Sequence, residues 1–210
     1  MDKIYRKTPL DEIPWEFETP PNELVQLVDS EKVKPCETID LGCGTGNYAI
    51  YLASRGFNVT GIDISTTAIK TAKENAKKRG TKCNFLVADV LGDLCEVKET
   101  FDFAIDWELL HHIFPEQRMM YVENVYKLLN HRGKYLSVCF SKKDKEFGGS
   151  GDYRVTGLDT ILYFSSESEL RSLFEPFFKI EELKTLAIRG RTKSHFAIYA
   201  FMEKRSSVNH

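Results

Sequence analysis

The chain has 210 residues, 42% of them hydrophobic and 29% charged, which supplies one sizeable core and excludes an intrinsically disordered chain. Lysine and arginine total 29 against 31 acidic residues, a formal net charge of −2, so the basic excess of a duplex-binding protein is missing and no nucleic-acid partner is expected. No apolar run approaches the ~18 residues of a membrane span, and MDKIYRKTPLDEIPWEFETPP has no signal-peptide core, so a cytoplasmic chain without a membrane partner is expected.

The first 20 residues are polar and proline-punctuated, with Tyr5 and Trp15 embedded. Pro21 can take the first turn of a helix over 21–30, where Leu24, Leu27 and Val28 share a face. Strands and helices then alternate. CETIDL (36–41) and FNVTGIDI (57–64) read as strands flanking a helix over 47–56. Ser65 caps a helix whose stripe is Ala68, Ile69, Ala72 and Ala76 and whose stop is Gly80; Lys70, Lys73, Lys77, Lys78 and Arg79 form its solvated face. Strands follow at 83–90 and 101–107, then a helix over 116–129 and a strand over 133–140. Segment 142–165 shows no clear periodicity and reads as an insertion and candidate lid, with Gly148, Gly149 and Gly151 to let it move. Ser166 and Glu169 have capping-box spacing, opening a helix to about Phe174. FFKIEELKTL (177–186) and KSHFAIYAFM (193–202) are too close for a crossover helix and form an antiparallel hairpin. The pattern predicts a single α/β domain over 1–210: a doubly wound, mostly parallel seven-stranded sheet with helices on both faces and a C-terminal antiparallel hairpin.

The strongest chemical signal is Asp40-Leu41-Gly42-Cys43-Gly44-Thr45-Gly46, between a strand and a helix. Closely spaced glycines allow a tight turn and close ligand approach. The spacing is G-x-G-x-G; the third glycine of a dinucleotide loop would fall on Asn47. Asp40 would repel a pyrophosphate and attract an ammonium group, so the sign of the loop favours S-adenosylmethionine over NAD. Asp63, with Ile64 beside it, stands at the next strand end, where an acidic residue hydrogen-bonds ribose hydroxyls. Asp89 is placed for the adenine amino group, with Val90 against the ring, and Asp106-Trp107 close the fourth strand. Cys43 is a small filler of the loop. The five cysteines, Cys36, Cys43, Cys83, Cys95 and Cys139, include no C-x-x-C pair, so neither disulfides nor a metal centre are expected.

On these residues the chain resembles the class I S-adenosylmethionine-dependent methyltransferases over 35–140, and the terminal hairpin fits that family's reversed last strand. ASRGFNVTGIDIS and PWEFETPP look more narrowly like the thiopurine and tellurite-resistance type of small-molecule methyltransferase. There a Trp-containing N-terminal segment folds over the cofactor, which gives that role to Trp15 and makes 1–30 a cover segment and helix; Glu18, where related segments often carry glycine, departs from the pattern. The resemblance implies methyl transfer from S-adenosylmethionine, leaving S-adenosylhomocysteine, to a small thiol, selenol, tellurite-like, oxygen or nitrogen nucleophile. A catalytically silent binding module and a macromolecular methyltransferase are the alternatives. Candidate bases are His111, His112 and Asp106, and Arg154 and Arg191 are candidate contacts to an anionic substrate.

Overall fold

The computed structural model describes residues 1–149 and 151–206. The chain divides into two compact units, 1–105 and 106–210. Unit 1 holds α1 (Asp2–Lys7), α2 (Asn22–Asp29), β1 (Glu37–Leu41), α3 (Asn47–Ser54), β2 (Asn58–Asp63), α4 (Thr66–Lys78) and β3 (Asn84–Val87), and β4 (Phe101–Trp107) runs across the dividing residue. Unit 2 holds α5 (Pro115–Leu128), β5 (Leu129–Phe140), β6 (Tyr153–Val155), β7 (Ile161–Tyr163), α6 (Glu167–Phe174), β8 (Phe178–Ile188) and β9 (His195–Lys204). Hydrogen bonding orders seven strands β3-β2-β1-β4-β5-β9-β8, with β6 and β7 as a separate pair. β1 runs parallel to β2 and β4, and β2 to β3; β9 runs antiparallel to β5 and β8. The expected fold class is therefore present. Among the described residues no helix is long and apolar enough to cross a membrane.

In unit 1 the four residues Thr38 to Leu41 of β1 are all buried, as a strand covered on both faces requires. Phe85 of β3 fills the space above two glycines: a Cβ on Gly46 would lie 2.7 Å from its ring, and one on Gly61 2.8 Å. These glycines thus let helix, strand and ring close together, and Gly46 also turns the backbone into α3 at φ 79°. The stripe of α4 is buried as its spacing predicts, and Ser65 Oγ accepts the Ala68 N–H at 3.1 Å. In unit 2, Ser166 and Glu169 form the expected reciprocal capping box of α6.

Two segments depart from expectation. The polar, proline-punctuated N-terminus gives no helix signal before Pro21, yet Asp2–Lys7 is helical. Six residues are too few for a periodic signal, and this helix is held by tertiary contact. Tyr5 packs with Ile13 and Ala68, while Asp2 Oδ1 accepts from Ser65 Oγ at 2.7 Å and Thr67 N at 3.0 Å, capping α4 from outside it. The second is 142–165, whose β6 and β7 form an antiparallel hairpin around a turn with Asp159 at φ 55°. Three-residue strands are below the length at which alternation can be seen. Ser150, in the same segment, lies outside the described residues. Strand β3 also stops at Val87, so Asp89 and Val90 sit in the loop beyond it.

Ser65 both caps α4 and donates to Asp2. Ser65→Ala is expected to cost about 1 kcal/mol in urea unfolding, the usual value of an N-cap, with an unchanged denaturant slope.

Candidate active site

In unit 1 the glycine loop turns through left-handed backbone at Gly42, Gly44 and Gly46, with φ of 69°, 54° and 79°. Asp63 is the pin of this loop. Its Oδ2 accepts the Gly44 N–H at 3.0 Å and its Oδ1 accepts the Ser65 N–H at 2.8 Å, so one carboxylate fixes both the loop and the start of α4. Burial nevertheless raises its pKa above the ordinary aspartate value. Asp40 is buried at 2% exposure, whereas Ile64, next to Asp63, is 56% exposed. Asp89 is exposed, and its Oδ1 accepts the Leu91 N–H at 2.9 Å, which fixes the carboxyl direction in an Asx turn. The Cys43 thiol is pushed well up by burial, and its sulfur would lie 2.9 Å from a Cβ on Gly61, which fits a filler and not a nucleophile.

The N-terminal segment also reaches this loop. Trp15 Nε1 donates to Tyr5 Oη at 3.0 Å, and that hydroxyl would lie 2.8 Å from a Cβ on Gly44. Glu16, absent from the sequence-derived set, has its Oε2 hydrogen-bonded by the Thr45 hydroxyl and by Asn47 Nδ2 at 3.2 Å. Loss of water raises its pKa, offset in part by hydrogen bonds from Thr45 and Tyr5. Its only sequence signal was an acidic residue beside Trp15. Glu18 is exposed.

In unit 2 the candidate bases Asp106 and His111 are buried. Asp106 is fully buried, and its Oδ2 accepts from the hydroxyls of Tyr121, at 2.8 Å, and Tyr135; burial raises its pKa to about 6. Its Oδ2 thus serves two tyrosine hydroxyls at once. Trp107 is also buried. His111 stacks on Phe140 with centroids 4.4 Å apart, and its Nδ1 accepts the Phe140 N–H at 3.4 Å. The neutral ring then carries its proton on Nε2 and has no second basic nitrogen to offer. Burial also holds the pKa of His111 well below the histidine range and lowers that of His112 to about 4. Arg154 is buried, and its guanidinium donates to the Asp144 carbonyl, to Gly151 O at 3.3 Å and to Lys142 O at 3.3 Å, over the Phe164 ring at 4.0 Å. It ties Lys142, Asp144 and Gly151 together through their carbonyls. Arg191 is exposed in the β8–β9 turn.

Sequence reasoning missed a ring-lined face here. Phe140 is flanked by Phe164, stacked at 5.5 Å, and by Phe147 at 4.8 Å; His195 lies 4.5 Å from Phe147. Phe147 and His195 are half-buried. Glu108 was missed as well: it follows β4 with left-handed backbone at φ 67°, and loss of water pushes its carboxyl up to about 7. The turn that carries it is pinned by Arg118, which donates to Ile113 O at 2.8 Å and Leu110 O at 3.1 Å.

Residues 39–133 match a family described as "Methyltransferase domain". The chain is 29% identical over 171 residues to the 2-heptyl-1-hydroxyquinolin-4(1H)-one methyltransferase of Mycobacteroides abscessus, covering 81% of this chain and 70% of that protein. It is 29% identical over 145 residues to the ubiquinone biosynthesis O-methyltransferase of Rickettsia conorii, covering 69% of this chain but only 45% of that protein. A solved structure concerned with conversion of a disulfide bond into a thioacetal group during echinomycin biosynthesis superposes with a TM-score of 0.82 at 26% identity, over 98% of this chain and 91% of that one. With the sheet order and the glycine loop, these matches make the chain similar to the S-adenosylmethionine-dependent methyltransferases.

Asp106 binds its proton more tightly in the fold than in the unfolded chain, so its contribution to stability grows as pH falls from about 7 towards the unfolded pKa near 4. Asp106→Asn removes that term. Urea titrations at pH 7 and pH 5 should show the parent chain gaining stability relative to this variant at the lower pH; parallel pH dependences would contradict the assignment.

Proposed function

We propose that unit 1 holds S-adenosylmethionine through Asp40, the 42–46 loop, Asp63, Ile64, Asp89 and Val90. The observation that carries this reading is Asp63: a carboxylate fixed by two backbone N–H groups beside an exposed isoleucine. Each carboxylate oxygen keeps a second lone pair for a ribose hydroxyl, and Ile64 and Val90 offer apolar surface to an adenine. Asp40 and Glu16 set an acidic rim that suits the ammonium of the methionine end and opposes a pyrophosphate. The cofactor supplies a methyl group already activated by the sulfonium; the chain's part is binding, orientation and exclusion of water. Tyr5, Trp15 and Glu16 latch residues 1–16 to the loop and act as the cofactor's cover.

The acceptor in this reading is a small, flat molecule that carries its nucleophile on or next to a ring. The relative that acts on a hydroxyquinolone supports it. Neither a nucleic acid nor a membrane is required, and the reading places the reaction in the cytoplasm.

Calorimetry should show S-adenosylmethionine binding that Asp63→Asn weakens at least ~10-fold, or about 1.4 kcal/mol, with NAD not bound. Binding unaltered in that variant would overturn the site. Formation of S-adenosylhomocysteine with 1-hydroxyquinolin-4-one, catechol or 4-nitrothiophenol tests transfer; tight cofactor binding with no turnover on any of them would favour a binding module. Glu16→Gln should speed amide exchange in residues 1–16 while leaving α6 unchanged, because it weakens the bonds that hold the cover on the loop.

A further inference from the structure

Helix α3 starts without a cap of its own. Gly46 stands at the N-cap with no side-chain bond to give, and the first turn carries no acidic residue. Such a helix start, with unpaired N–H groups at the positive end of the dipole, draws an anion. Here the anion comes from 29 to 31 positions upstream. Glu16 Oε2 accepts from the Thr45 hydroxyl and from Asn47 Nδ2 at 3.2 Å, and the Thr45 N–H and the Tyr5 hydroxyl also donate to the carboxylate. These donors are held in place from outside. Asn47 Oδ1 accepts from Arg79 Nη2 at 3.3 Å, which turns the amide nitrogen towards Glu16, and Asn75 Nδ2 donates to the Thr45 carbonyl at 3.1 Å. Trp15 Nε1 donates to the Tyr5 hydroxyl at 3.0 Å, which leaves that hydroxyl's own proton for Glu16. The loop backbone lies close against both groups: a Cβ on Gly44 would lie 3.3 Å from Glu16 Oε1 and 2.8 Å from Tyr5 Oη. Hydroxyls, a side-chain amide and a backbone N–H converging on a glycine-rich helix start suit a phosphate oxyanion as well as a carboxylate. All of these residues belong to unit 1.

We propose that the mouth of α3 is an anion site of the phosphate-binding kind that the chain fills with its own Glu16, and that this residue determines specificity by keeping phosphorylated adenine nucleotides out of the cofactor site. A phosphate there has to displace the carboxylate from its donors or lie against its charge, and Asp63 adds charge of the same sign. A nucleoside without a phosphate meets no such opposition. Glu16 thus does more than latch residues 1–16: it turns a loop whose shape would admit a pyrophosphate into one whose charge refuses it. The specificity role deepens the cofactor reading above and rests on it, whereas the anion site stands on the donors around Glu16 alone.

Two measurements on the whole protein test this, the first without any nucleoside. In 1H–15N spectra, millimolar inorganic phosphate should shift the Thr45 and Asn47 amide signals of Glu16→Ala and leave those of the parent chain in place. No shift in the variant, or the same shift in both chains, overturns the anion site. The second compares ADP with adenosine by calorimetry. The parent chain should bind ADP more weakly than adenosine. In Glu16→Gln, which keeps the shape of the side chain and removes its charge, the ratio of the two dissociation constants should move at least ~10-fold in favour of ADP, on the scale of a like charge removed from beside a phosphate. A parent chain that already prefers ADP overturns the specificity role. So does an equal change for both ligands, which leaves the ratio where it was and reports only loosened packing of residues 1–16. A parent chain that binds neither ADP, adenosine nor S-adenosylmethionine contradicts the function proposed above and the specificity role with it, while the phosphate titration still decides the anion site.

Discussion

One buried carboxylate organises unit 1. Asp63 ends β2 and accepts one backbone N–H from the glycine loop and another from the start of α4. Both donors are groups that a helix-opening turn leaves unpaired, so the side chain satisfies them and fixes two turns relative to a strand. Without it the left-handed loop residues would have no fixed partner on β2's edge beyond the Cys43 N–H to Ile62 carbonyl bond. The raised pKa of Asp63 is the cost of that position: desolvation works against the charge that the two donors hold in place.

Around this pin the molecule places acidic groups where many nucleotide-binding sheets place neutral or basic ones. Asp40 is buried in β1, and Glu16 arrives from the N-terminal segment to take the Thr45 hydroxyl and the Asn47 amide at the mouth of α3. The start of a helix attracts anions by its dipole and its unpaired N–H groups. Here the chain supplies its own carboxylate there. That choice is coherent with a cationic, phosphate-free cofactor and poorly suited to a pyrophosphate. The same contact joins the N-terminal segment to the glycine loop, because Tyr5, Trp15 and Glu16 are bonded to one another or to the loop.

The parts that were legible in the sequence are those governed by local chemistry. The glycine spacing, the Ser65 cap, the apolar stripe of α4 and the Ser166–Glu169 box each lie within a few residues, and each formed as the pattern required. Helix α1 and the β6–β7 hairpin were not legible, being too short to show a period and stabilised by distant partners such as Asp2 on Ser65. The surroundings of the candidate bases were not legible either. His111 and Asp106 sit where a strand end suggests chemistry, but the direction of a side chain there depends on what packs over it. Phe140 and the two tyrosines decide that, and they are 29, 15 and 29 residues away.

The sequence alone thus determined the sheet class, the glycine loop, the sign of its charge and hence the kind of cofactor, because these follow from residue type and short-range spacing. Only the tertiary structure decided which carboxylates are spent on structure, that Glu16 and Tyr5 belong to the loop, and that Asp144 meets His195 across 51 positions. Those pairings depend on long-range packing and desolvation, which set the availability of a titratable group and leave no trace in its neighbours along the chain.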